Sequence, residues 1–123
     1  YRRSILGARC GFSIPINCVG KGLCIAHIGP IIINPYASVG ENCRVHVGVN
    51  IGADARISDA APIIGNNIYI GPGAKLFGKI EIADGIAIGA NAVVNKSFLE
   101  QDISIAGVPV KKVGAVGTKG ILY

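Results

Sequence analysis

Two histidines are the residues of this chain best suited to moving protons near neutral pH, because an imidazole with an ordinary pKa of about 6.5 both accepts and donates. His27 lies in GKGLCIAHIGPIIINP, residues 20–35, a short polar break between runs of isoleucine, and His46 follows in VHVGVN. A zinc centre built on three histidines cannot be assembled from two. The four cysteines, Cys10, Cys18, Cys24 and Cys43, form no CxxC pair and alternate with apolar residues. That pattern reads as reduced thiols within a sheet, so neither a disulfide nor a bound metal is expected and a cytoplasmic location is. The net charge of +5 is spread along the chain rather than run together, which fits a small polyanionic ligand better than a nucleic-acid stripe.

Composition restricts the elements that position these groups. Half the residues are hydrophobic but only 6% are aromatic, so the core is thin and made of Ile, Val and Ala. Eighteen glycines in 123 residues oppose a helical bundle, since each weakens a helix by up to about 1 kcal/mol. No apolar stretch approaches the roughly 20 residues of a membrane span, and YRRSILGARCG lacks the apolar block of a signal peptide.

Cut every six residues from Ile33, the chain reads INPYAS, VGENCR, VHVGVN, IGADAR, a seven-residue unit ISDAAPI, then IGNNIY, IGPGAK, LFGKIE, IADGIA, IGANAV, VNKSFL. Each unit opens with Ile, Val or Leu, and the fifth position is small or apolar, two residues before the next opener. Strand alternation turns both inward and sends the residue between them out. The fourth position is Asn42, Gly48, Asp54, Asn67, Gly73, Gly85 or Asn91, types that tolerate a left-handed backbone. Each unit is therefore one short strand and one turn, and three units close a triangular coil. The fold predicted is all-β, a left-handed parallel β-helix.

One unit departs from this frame. IAHIGPII, Ile25 to Ile32, has eight residues, and its flanking triplets still alternate, so two extra residues lie in the turn from Ala26 to Pro30 that carries His27. A corner enlarged in a strict repeat is a place to look for function; the alternative is a surface loop with an incidental histidine. His46 occupies a turn three units later, which puts it at the same corner on the next coil. It is read first as a polar turn residue.

The hexads, with GLCIAHIGPIIINP, GPGAKLFGKIEI, IGANAVVNKS and the closing IAGVPVKKV, resemble the hexapeptide-repeat acyltransferases over about residues 12 to 112, most closely the serine acetyltransferase-like branch. The resemblance implies transfer of acetyl from acetyl-CoA, the co-substrate, to a hydroxyl, in a homotrimer whose sites lie in clefts between prisms. It sets His27 on the family's general base. It sets Pro72 and Ala90 at rung turns lining the coenzyme A groove, Asn95, Lys96 and Lys111 near the coenzyme's tail, and AGVP, Ala106 to Pro109, where the prism ends and folds toward that groove. Lys112 adjoins Lys111 as a second compact charge for coenzyme phosphates.

The sequence also departs from that family. Phe12 stands where an aspartate orients the base, Ala26 replaces the acidic residue before the base, and Ala61 precedes Pro62 where the family has a second active-site histidine. The acceptor is thus expected to be serine or a sugar hydroxyl. The domain reading is an N-terminal helical remnant over 1–12, the β-helix over 13–100, and a C-terminal tail over 101–123 covering the coenzyme groove. Two other readings use the same prism: a γ-type carbonic anhydrase, which needs three histidines on zinc, and a non-catalytic trimerisation or interaction module.

Overall fold

The hexad openers and the fifth-position residues form the core. In the computed structural model, which describes residues 12–13, 19–25, 29–54, 56 and 60–118, the openers Ile33, Val39, Val45, Ile51, Ile64, Ile70, Leu76, Ile82, Ile88 and Val94 are all buried. So are Ala37, Cys43, Val49, Ile68, Ala74, Ile80, Ile86 and Ala92. Two inward residues per unit pile into one aliphatic column, and the backbone bonds of each strand go to the coils above and below.

Among the described residues, fourteen strands carry this stack: β1 Phe12–Ser13, β2 Cys24–Ile25, β3 Ile31–Ile33, β4 Ser38–Val39, β5 Arg44–Val45, β6 Asn50–Gly52, β7 Ile63–Ile64, β8 Tyr69–Ile70, β9 Lys75–Phe77, β10 Glu81–Ile82, β11 Ala87–Ile88, β12 Val93–Val94, β13 Ser104–Ala106 and β14 Lys111–Gly114. They form three faces. The first face runs β1-β3-β6-β9-β12, the second β4-β7-β10, and the third β2-β5-β8-β11-β13-β14. All pairings are parallel except β13 with β14, which is antiparallel. The fold is the left-handed parallel β-helix that the hexads predict.

Register measures each coil. Ile70 lies opposite Ile88, eighteen residues on, which is three hexads. Ile25 lies opposite Val45, twenty on, and Val45 opposite Ile70, twenty-five on. The first excess belongs to the turn with His27. The second comes from ISDAAPI, which the hexad frame counts as a rung. It belongs instead to one long connection between Gly52 and Ile63, on which Asp54 N–H donates to the Ala60 carbonyl at 2.9 Å and Ala60 and Ala61 are buried.

The turns divide by corner. Positive φ occurs at Gly22, Asn42, Asn67, Gly85 and Asp102 between the second and third faces, and at Gly48, Gly73, Asn91 and Gly107 between the third and first. Between the first and second faces, among the described residues, only Gly78 has it. There Asn34 Oδ1 accepts from the Tyr36 N–H at 2.8 Å, a side-chain-closed turn that needs no left-handed residue. Asp54, at this corner, is accordingly not among the positive-φ residues; its carboxylate bonds Arg56.

The chain does not leave the parallel stack at residue 100, because β13 adds another parallel strand beside β11. Phe12, at the edge of the expected helical remnant, stands in a strand on the first face. After β14, the chain crosses back over the rungs: Ser104 Oγ donates to the Val116 carbonyl, and Thr118 donates through its N–H to Gly85 O and through Oγ1 to Asn67 O. Gly117 packs so closely on Gly85 and Asp102 that a Cβ would overlap them. Ala87, whose place in the repeat points outward, is buried nonetheless. Among the described residues no helix is long and apolar enough to cross a membrane.

Candidate functional site

The corner between the third and first faces gathers most of the residues singled out from the sequence. Its connections are β2 to β3, β5 to β6, β8 to β9, β11 to β12, and the turn after β13, stacked one above another. His27 lies on the first of these and outside the described residues. His46 lies on the second, Pro72 on the third and Ala90 on the fourth, and AGVP, with a cis Val108–Pro109 peptide, leads from the fifth into Lys111.

Only the connection with His27 is enlarged. From Ile25 to Ile32 the chain takes seven steps where Val45 to Asn50, Ile70 to Lys75 and Ile88 to Val93 take five. Those three five-step turns stack tightly: Gly73 N–H donates to Val47 O and Asn91 N–H to Pro72 O, at 2.9 and 2.8 Å. Gly48 and Gly73 hold φ of 80° and 74°, and Pro72 and Ala90 stand exposed one rung apart on a narrow crest. Small exposed residues in line suit an extended ligand lying along the corner.

Basic residues flank this crest. Lys75 Nζ donates to the carbonyls of Gly48 and Gly73 at 2.5 and 3.1 Å, fixing a charge beside the turns on the first face. Lys111, opposite Ala106 in β13, is exposed, whereas Lys112 is held 2.7 Å from Glu100 Oε2. Asn95 and Lys96 are not brought to this corner. They follow β12 at its other end, where the Lys96 ammonium lies 5.6 Å from the centre of the Phe98 ring. The described end of the tail, residues 116–118, likewise lies along the corner between the second and third faces.

On the third face beside the crest, the outward row is Cys24, Arg44, Tyr69, Ala87 and Ser104. The His46 ring meets Tyr69 edge-on, with centroids 5.0 Å apart and planes at 60°. The hexads send Arg44 and Tyr69 outward, but their adjacency was not evident, because counting ISDAAPI as a rung sets Ile63 above Arg44; in the structure Ile63 lies above Ser38. Cys43 is no nucleophile for this corner. It is buried in the core, and burial pushes its thiol up, so it stays protonated.

Comparison with known proteins adds independent observations. No family model matches the chain. It is 31% identical over 102 residues to the serine acetyltransferase of Synechococcus elongatus, covering 82% of this chain and 41% of that one. With the serine acetyltransferase of Mycobacterium tuberculosis it is 33% identical over 101 residues, 81% of this chain and 44% of the other. Its fold is similar to that of the Brucella abortus serine acetyltransferase solved in complex with coenzyme A, with a TM-score of 0.74 and 32% identity over 80% of this chain and 40% of that one. The soybean serine acetyltransferase complexed with serine gives 0.73 and 29% over 77% and 39%. The chain thus spans about two fifths of the length of the relatives it matches. Over that span, by sequence and by fold, it is a serine acetyltransferase-like member of the hexapeptide-repeat acyltransferases.

Proposed function

We propose that this protein transfers an acetyl group from acetyl-CoA directly to a hydroxyl of a small acceptor, serine or a sugar hydroxyl, with His27 as general base. His27 takes the hydroxyl proton as the acceptor oxygen bonds to the thioester carbonyl carbon. The carbon–sulfur bond then breaks, and the departing thiolate takes up a proton. No covalent acyl-enzyme is needed, since the thioester is already activated, and N–H groups of the glycine-rich turns would hold the developing oxyanion. Pro72 and Ala90 would line the path of the coenzyme, with Lys111 at its phosphate end, while Asn95 and Lys96, which the family resemblance sets near the coenzyme's tail, stand at the far end of β12. No metal enters the scheme.

The observation that carries this reading is that, among the turns of the corner shared with Pro72, Ala90 and the chain leading to Lys111, the one that holds His27 is enlarged by two residues. The matching relatives named as serine acetyltransferases support it, as do the neighbours solved with coenzyme A and with serine. A homotrimer in the cytoplasm, with each site walled by two prisms, goes with it.

Thiol release from acetyl-CoA, measured against serine, homoserine and sugars, tests the reading. His27→Ala is expected to lower the rate with saturating substrates at least tenfold, since such bases contribute roughly 10² to 10⁴. Retention of more than a tenth would remove His27 from the role. If coenzyme A also failed to raise the melting temperature, the prism would be a non-catalytic assembly module instead.

A further inference from the structure

We propose that Arg44 forms a subsite for an anionic group on the acceptor, so that the preferred acceptor is a hydroxyl compound carrying a carboxylate or similar anion. The inference rests on the acetyl-transfer reading above and narrows it. Arg44 is half-buried on the third face, and its Nε is shut off from solvent with no hydrogen-bond partner among the described residues. Neither ion pair found among those residues includes it. A buried guanidinium N–H without an acceptor is costly, and a ligand anion would satisfy it with a charge-assisted bond.

Its position ties that demand to the candidate site. Arg44 stands opposite Cys24, one residue before Ile25 and the enlarged turn that carries His27, and opposite Tyr69 on the other side. Strand alternation sends Arg44 and His46 to the same side, and His46 in turn packs on Tyr69. The C-terminal strap meets the outward row at Ser104, higher on the same face, and among the described residues nothing of it bonds Cys24, Arg44 or Tyr69. The result is a patch with one cation and an aromatic wall beside β2, the strand that leads into the turn with the proposed base. The long connection between Gly52 and Ile63 supplies no such charge at Ala60 and Ala61, which are buried and carry only a methyl group.

The test compares acceptors that differ in the charge of one carboxyl group, in two chemical series: L-serine against L-serinamide, and glucuronate against glucuronamide. Steady-state acetyl transfer is measured for wild type, Arg44→Gln and Arg44→Lys, with coenzyme A binding by calorimetry and the melting midpoint as checks on folding. In whichever series is used, wild type is expected to prefer the anionic member. Arg44→Gln should lower kcat/KM for that member by about 10- to 100-fold while leaving the uncharged member and coenzyme A binding unchanged, and Arg44→Lys should restore part of the loss. Equal use of both members by wild type, an equal loss on both in Arg44→Gln, or a loss confined to coenzyme A binding would each overturn the subsite while acetyl transfer stands. Transfer to no acceptor at all would overturn the acetyl-transfer reading and the subsite with it.

Discussion

At the C-terminal end of the crest, two adjacent lysines that read alike in the sequence differ in surroundings. Lys112 Nζ is 2.7 Å from Glu100 Oε2, so part of its charge is already matched, while Lys111 stands opposite Ala106 beside the AGVP turn with no ion pair among the described residues. An exposed pair of this kind contributes little to stability, but it competes with a phosphate for the same ammonium. Lys111→Ala is therefore expected to raise the apparent KM for acetyl-CoA about fivefold with kcat nearly unchanged, because a contact present equally in ground and transition states affects binding alone. Lys112→Ala should have the smaller effect. Kinetics at low and high salt check the assignment, since screening should weaken wild type and leave Lys111→Ala much less sensitive. An unchanged KM for acetyl-CoA with a raised KM for the acceptor would move Lys111 to the other substrate.

Turns and strands were legible to different degrees, and the reasons are physical. The openers and fifth residues, such as Val45 with Val49 or Ile70 with Ala74, could be read because burial imposes one pattern on every rung. ISDAAPI imitated a rung because Ile57 and Ile63 fall near the expected spacing, yet Ile63 is half exposed, while Ala60, Ala61 and Pro62 are buried. Hydropathy at one spacing does not distinguish a rung from an excursion that returns in phase. The His27 turn was legible as an insertion of two, and register bears out the count, whereas the Arg44–Tyr69 adjacency depended on the excursion being recognised. The left-handed corner positions can be tested one at a time. Asn67 holds φ 57°, so Asn67→Gly should be near neutral, and Asn67→Ala should cost about 1 kcal/mol by forcing a Cβ without a compensating polar group into that region. Gly85→Ala should cost more, because φ is 74° and its Cβ would overlap the Asp102 side chain. Denaturant midpoints for the three variants check the order.

Each coil contacts only its neighbours, so the molecule's sides stay open for association in a way that a layered globule's do not. Ile32 on the first face and Ile63 on the second are 47% and 50% exposed at outward positions of the repeat. Both are larger and more apolar than most of their counterparts on other rungs, which are Asn50, Lys75 and Val93 for Ile32 and Ser38 and Glu81 for Ile63. Association of three copies would cover such residues and would close each crest against a second prism, giving a ligand along Pro72 and Ala90 two walls instead of one. Light scattering is expected to give three times the 12.6 kDa mass of one chain at micromolar concentration. Ile32→Lys and Ile63→Lys, made singly, should shift the mass toward one chain while the far-ultraviolet spectrum of the β-helix is kept, since neither side chain belongs to the core. If the trimer builds the site, at least one of these variants should lose acetyl transfer together with assembly, and the loss should lessen as protein concentration rises. A single-chain mass with full activity would mean that one prism holds a complete site.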